Sequence, residues 1–387
     1  MENNALLEQK RSNLIKTLNR EEPDYVPNLI TASCATVAWT GQKVTDIIDD
    51  PEAYVKALTD VFGEMWADGN IFMATLFTPK RSEIFETVQN KFGPDGVTPE
   101  HIQASPMKPD EYDQFNSDFR GFITNVLLPR MYPRLYTDRE YAKKALKVYA
   151  EDGFYCMAQL TALTTKTLEE KYGITDVVTF ADNWEHPMDS LFDRFRGFRG
   201  TLTDLRRHPD DVKAALETIW QNKTLPAIQK PLSGHMPYAC QMPHIPAYLS
   251  PKQFDELYWP YEKKLIERVA NAGHKTYIML EGHWNRVWEH FLELPKDCCI
   301  LHVDDDDLFE AYKVLGRHQI IMGGIKMSDI RSGTIDTLKD KIKRIIDTCA
   351  PGGGFMFSSD KAWIAPGDVN QVLIDAFNFA HEYSSKR

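Results

Sequence analysis

No apolar run in this chain approaches the roughly 18 residues that a membrane span requires, so no membrane is expected as a partner. The N-terminal stretch MENNALLEQKRSNLIKTLNREEPDYVP has neither an apolar core segment nor a small-residue cleavage site, which points to a cytoplasmic protein. Positive charge is in deficit, with 45 Lys and Arg against 56 Asp and Glu and a formal net charge of −11. Phosphate backbones need a basic face, so no nucleic acid is expected, and a small substrate or a protein partner suits this surface better. The six cysteines (Cys34, Cys156, Cys240, Cys298, Cys299 and Cys349) show no CxxC spacing and are expected as thiols. HExxH, a glycine-rich phosphate cradle, internal repeats and low-complexity linkers are all missing. What remains is 43% hydrophobic and 26% charged, the composition of a globular protein with a sizeable core.

Short β-rich runs alternate with longer helix-like stretches, the signature of parallel strand-helix units. Eight runs qualify as strands: 25–30, 70–76, 176–182, 235–241, 275–280, 298–304, 319–325 and 353–359. These largely apolar runs suit strands buried on both faces. The predicted architecture is α/β, a single (β/α)8 TIM barrel over 1–387, with a doubly wound open sheet as the competing arrangement. Residues 1–22 read as an N-terminal helical arm. The hundred or so residues between the second and third strands are too many for one crossover. Residues 77–175 therefore form an insertion, with a hairpin around the Pro94-Asp95-Gly96 turn and helices over 138–172. Helices are also expected at RVWEHFLEL after the fifth strand and at LFEAYKVLG after the sixth.

In a barrel the reacting groups stand just past the strands. That rule selects Glu281, His302 and Asp360, which close three strands and can converge on one divalent cation. Two carboxylates and an imidazole would neutralise Zn2+ and leave an open coordination position. The run Asp304 to Asp307 precedes a helix and reads chiefly as its cap, with Asp304, nearest the strand end, free for another role. His244 and Asp182 are candidates for a proton donor or orienting group. Trp39, Met73, Trp184, Tyr238, Met242, Tyr248 and Trp363 lie near strand ends and are candidates to line a pocket, although cores draw on the same residue types. The arginine-rich segment 189–212, with Arg194, Arg196, Arg199, Arg206 and Arg207, alternates in sign and reads mostly as structural pairing.

The patterns FDRFRGFRGTLTDLRRHPDDVKAAL, MPHIPAYLSPKQFDELYWPYEKKLIE, LEGHWNRVWEHFLELP and GGFMFSSDKAWIAPGDVNQVL resemble the uroporphyrinogen decarboxylase superfamily. The resemblance covers most of 180–385, is looser before it, and implies a single (β/α)8 barrel. Decarboxylases of that superfamily carry an RQAGRY-type arginine signature, whereas the corresponding NLITASCATVAWTGQK has no arginine. The zinc-dependent corrinoid methyltransferases that load coenzyme M bind metal through HxC and a later Cys. Met279, Glu281 and Asp360 occupy the matching positions, so carboxylates replace both thiolates and the site becomes harder.

That change is similar to the substrate-side methyltransferases of anaerobic O-demethylation, which share the EG…RVWE stretch and a Glu-x20-His spacing met by Glu281 and His302. A further glutamate of that pattern falls at Ile266, beside Glu267, so the third ligand is Asp360 or another carboxylate. The resemblance implies zinc, a small-molecule methyl donor such as a methoxylated aromatic, and a corrinoid (cobalamin) carried by a partner corrinoid protein. Three alternatives stay open: methyl transfer from methylcorrinoid to a thiol or pterin, a uroporphyrinogen-type decarboxylase, and a non-catalytic ligand-binding barrel. A homodimer is compatible with the chain, whose oligomeric state is left open.

Overall fold

A computed structural model describes residues 2–71, 77–86, 90–102, 105–177, 184–229 and 238–386. Eight parallel strands run through it: β1 (Leu29–Ile30), β2 (Gly69–Asn70), β3 (Thr175–Asp176), β4 (Tyr238–Gln241), β5 (Lys275–Leu280), β6 (Cys299–Val303), β7 (Ile320–Ile325) and β8 (Phe355–Ser359). Each falls within or at the edge of an expected run. The rest of the runs expected at 70–76, 176–182 and 235–241 lies largely outside the described residues.

One sheet has the order β1-β2-β3 and the other β8-β7-β6-β5-β4. Parallel bridges from Asn28 to Phe357 and from Ala32 to Trp363 seat β1 beside β8. Within each sheet every strand lies beside its neighbours in sequence, and the first strand lies beside the last. The flanks of β3 and β4, where the circle would close, include residues outside those described.

Alternation along the strands explains why the central runs are apolar on both faces. One set of side chains faces inward: Leu29, Cys240, Tyr277, Met279, Ile300, Ile320, Met322 and Met356, joined by Ile71 and Val177 just past β2 and β3. The intervening set, including Ile278, Leu280, Leu301, Val303, Ile321, Ile325, Phe355 and Phe357, packs outward into the larger core shared with the helices. The inner cluster draws on all eight strands or the residue that follows them. Helix α1 (Glu2–Leu18) adds Leu14 and Leu18 to it.

Between β2 and β3 the chain makes an antiparallel hairpin, Asn90–Phe92 against Pro99–His101. Helix α2 (Arg139–Phe154), capped by the Asp138 carboxylate on the Tyr141 N–H, continues as helical turns to Tyr172. Past β4, helix α3 (Trp259–Asn271) packs its apolar face inward, and helix α4 (Leu308–Leu315) follows β6.

The helix expected at RVWEHFLEL is reduced to a 3-10 turn, Trp288–Leu292. Its preceding residues are held by partners outside any helix. The Trp284 N–H donates to Asp306 (2.7 Å), the Trp284 indole donates to the Glu281 carbonyl (3.1 Å), and Arg286 donates to the Ala247 carbonyl (2.5 Å). Among the described residues no helix is long and apolar enough to cross a membrane.

Candidate functional site

The inward-facing parity carries on past the strands. Tyr277 and Met279 lead to Glu281, Ile300 and His302 to Asp304, and Met356 and Ser358 to Asp360. A polar mouth at the C-terminal ends follows from that register.

Glu281 stands at this mouth with 34% of its side chain exposed, and its Oε1 lies 3.8 Å from His244 Nε2. Gly282 follows with φ +77°, a left-handed turn whose missing Cβ would fall 2.7 Å from the Ala247 methyl. The turn aims the Gly282 N–H at Asp304 Oδ2 (2.9 Å). Burial raises the Glu281 pKa; the charge of His244 opposes this, and Asp304 and Asp193 reinforce it.

His244 is the centre of a chain of carboxylates. Its Nδ1 lies 2.9 Å from Asp193 Oδ2, and its own N–H and that of Ile245 donate to Asp189 Oδ1 at 2.7 and 3.0 Å. Asp189 Oδ2 accepts from the Tyr258 hydroxyl at 2.9 Å. Burial of the His244 ring works against its charge. The hydrogen bond to Asp193 and the fields of Glu281, Asp193 and Asp189 outweigh it, and the pKa rises to about 9. Asp189 is buried, and its pKa is pushed up to about 7 by that burial despite the two backbone donors.

Asp189, Asp193 and His244 each offer one ligand atom, and these atoms lie within 4.8 Å of one another. Sequence reasoning singled out His244 and missed both aspartates. Their signal was the i,i+4 spacing in DSLFD: successive helical turns, Pro187–Ser190 and Leu191–Phe195, put the two on one face.

The other expected ligands are differently placed. His302 is fully buried, with Nε2 2.7 Å from the Ser359 carbonyl and Nδ1 2.7 Å from the Tyr277 hydroxyl. A carbonyl only accepts, so Nε2 carries the proton and Nδ1 takes the hydroxyl's. Burial holds the ring neutral by lowering its pKa. Both nitrogens are thereby used, and His302 has no lone pair left for a cation in this arrangement. That is the physical obstacle to the ligand role expected of it. Asp360 accepts from the Met327 N–H at 2.8 Å, and burial raises its pKa.

The acidic run divides as expected. Asp307 caps α4 through the Phe309 and Glu310 N–H groups, Asp306 meets His283 (3.1 Å) and the Trp284 N–H, and Asp304 faces the mouth. Lys361 Nζ lies 2.8 Å from both Asp304 and Asp305.

Of the expected pocket residues, Met242 packs partly buried against the inner cluster, and Tyr248, 54% exposed, meets the Phe198 ring edge to face. Trp39 is partly buried against the outer core. Two expectations are corrected. Trp363 is fully buried, its indole donating to Ser359 Oγ and its ring against Phe377, and so belongs to the β8 core. Trp184 is packed with Trp220, Leu265 and Val269 on the outside of β4, an apolar contact that faces away from the mouth. Tyr238 begins β4, but its side chain, like Met73 and Asp182, lies outside the described residues. In the arginine-rich segment, Arg194 pairs with Glu185 and Arg196 with Asp204, as expected of structural pairing.

The family model for uroporphyrinogen decarboxylase (URO-D) matches residues 192–366. That stretch begins one residue before Asp193 and runs through His244, Glu281, Asp304 and Asp360 to just past Lys361. No curated protein matches the chain.

Proposed function

We propose, from the premise that residues 192–366 belong to the uroporphyrinogen decarboxylase superfamily, that this enzyme is a zinc-dependent methyltransferase built on a closed (β/α)8 barrel. It moves a methyl group from a small donor, in the first instance a methoxylated aromatic, to the Co(I) of a corrinoid carried by a partner protein. The observation that carries this reading is the line Asp193, His244, Glu281: Nδ1 of the imidazole on one carboxylate at 2.9 Å, and Nε2 facing the other at 3.8 Å.

The donor set fits a zinc ion. Asp193 on Nδ1 fixes the ring and leaves the Nε2 lone pair available once its proton is displaced, the arrangement in which a carboxylate supports a metal-bound histidine. Glu281 would supply the second ligand from β5. The charges of Glu281 on the ion and of Asp193 behind the neutral imidazole balance the dication, and nitrogen and oxygen donors leave it harder than thiolates would. Zinc bound there would supply Lewis acidity toward the oxygen that departs as the methyl leaves.

For the methyl group to be passed on, the C–O bond would have to break with its electron pair on oxygen, and the acceptor would have to supply the pair for the new bond to carbon. Developing negative charge on that oxygen is what an ether lacks help for in water. Asp189 holds the backbone of His244 and Ile245 in place. Lys361, held by Asp304 and Asp305, keeps a cation beside the acidic strand ends. A porphyrinogen decarboxylase needs cations for several substrate carboxylates, whereas this mouth presents Asp189, Asp193, Glu281, Asp304 and Asp360. Like charges at such spacings repel, which favours the methyl-transfer reading.

The test is spectroscopic. The zinc-loaded protein, mixed with cob(I)alamin and a panel of methoxybenzenes, should convert the Co(I) spectrum to that of methylcobalamin, and His244→Ala and Glu281→Ala should each slow this roughly a hundredfold or more. No conversion with any donor, or wild-type rates in both variants, would defeat the reading.

A further inference from the structure

Away from the acidic mouth, the insertion closes over a second cavity of about 380 Å³. Its walls include Phe77, Phe85, Tyr132 and Tyr149, with Arg81, Ser82, Asn90 and Arg194 as the polar members. Phe85 meets Tyr132 and Tyr149 edge to face, with centroids at 5.5 and 5.9 Å, so the rings are fixed by one another.

One polar group in these walls lacks the partner that a finished core would give it, and a half-exposed guanidinium stands beside it. Ser82 is only 7% exposed, and its hydroxyl has no hydrogen-bond partner among the described residues. A buried hydroxyl left in that state costs free energy that an incoming acceptor recovers. Arg194 spends its Nε on Glu185, at 2.7 and 2.9 Å, and its Nη groups make no hydrogen bond among the described residues. Arg81, the other guanidinium of the cavity, lies 3.8 Å from Asp152 and covers the Tyr149 ring. At the rim, Leu146 is 58% exposed although it borders the cavity, an apolar side chain that a bound ring would cover.

We propose that this cavity is a binding site for a small aromatic carboxylate, with the ring between the aromatic walls and the carboxylate against the Arg194 guanidinium and the Ser82 hydroxyl. The volume suits a single substituted ring, and the planar fork of an arginine matches a carboxylate better than any neutral acceptor. The site depends on neither zinc nor corrinoid, so binding to the metal-free chain tests it apart from the methyl-transfer reading.

Calorimetric titration of the full chain with benzoate should give saturable binding, with benzyl alcohol, the same ring without the charge, at least tenfold weaker. Arg194→Gln should weaken benzoate roughly ten- to a hundredfold. Arg194 also serves Glu185, so Leu146→Glu provides a second variant: at an exposed position it should leave the unfolding midpoint unchanged while its negative charge at the rim weakens benzoate severalfold. Absence of saturable benzoate binding, benzyl alcohol binding as tightly, or wild-type affinity in both variants would overturn the assignment.

Discussion

The two ends of the strand interior are built from the same inward-facing positions and yet differ in kind. Toward the N-terminal ends Leu14, Leu29, Ile300 and Ile320 form a buried apolar floor. Toward the C-terminal ends the same parity delivers Glu281, Asp304 and Asp360, with His244 beyond β4. Along β6 the steps are isoleucine, imidazole, carboxylate, and along β8 methionine, serine, aspartate. The difference separates what holds the fold from what can react, and His302 sits at the crossing with its ring committed downward to Tyr277 and Ser359.

If that boundary is real, His302→Ala should damage the fold most. It strands a buried hydroxyl and a buried carbonyl beside a new cavity, for a loss of about 3 to 5 kcal/mol. Glu281→Ala, at the mouth, should stay within about 0.5 kcal/mol of wild type. Urea midpoints measure both, and equal losses would erase the distinction.

Glu262 sharpens the comparison from outside the strands, because it is a buried carboxyl away from the mouth. It lies on α3 with Gln241 as its amide partner. Burial, reinforced by the charge of Asp189, raises its pKa from 4.5 to about 8. A carboxyl raised on folding favours the folded state fully below its unfolded value, and that contribution is lost as pH climbs through the folded value. Stability should therefore fall by about 2 kcal/mol between pH 5 and pH 7 on this account, at no more than about 1.4 kcal/mol per unit. Glu262→Gln should flatten that part of the profile, and a variant that declines in parallel with wild type would refute the assignment.

A smaller loss than that of His302 or of the Glu262 titration belongs to Asp307. As a helix cap its replacement by alanine should cost about 1 kcal/mol and leave metal content untouched, whereas a loss of metal would move Asp307 into the mouth.

Much of this was legible in the sequence, for physical reasons that stop at a definite point. KTYIML and CCILHVD announce buried strands because both faces are covered, and period two then fixes Glu281 and Asp304 as inward residues. LFEAYKVLG after a run of aspartates announces a capped helix. What period and spacing do not carry is which side chain a ring nitrogen meets across the sheet. His302, expected as a ligand, and His244, expected as a proton donor or orienting group, are both imidazoles near strand ends. Only the neighbours on other strands, Tyr277 and Ser359 for one and Asp193 and Glu281 for the other, separate a satisfied core histidine from one at an acidic mouth. RVWEHFLEL misled because the loop leading into it is tied down through Trp284 and Arg286 to Asp306, the Glu281 carbonyl and the Ala247 carbonyl, which leaves only a 3-10 turn at Trp288–Leu292.

The central claim is that His244 and Glu281 together hold a metal ion. Elemental analysis after zinc loading and desalting tests it directly, on wild type beside His244→Ala, Glu281→Ala and Asp360→Asn. The account predicts about one zinc per chain in wild type and Asp360→Asn, and little in the other two. Wild type without zinc, or full zinc in both His244→Ala and Glu281→Ala, would contradict it.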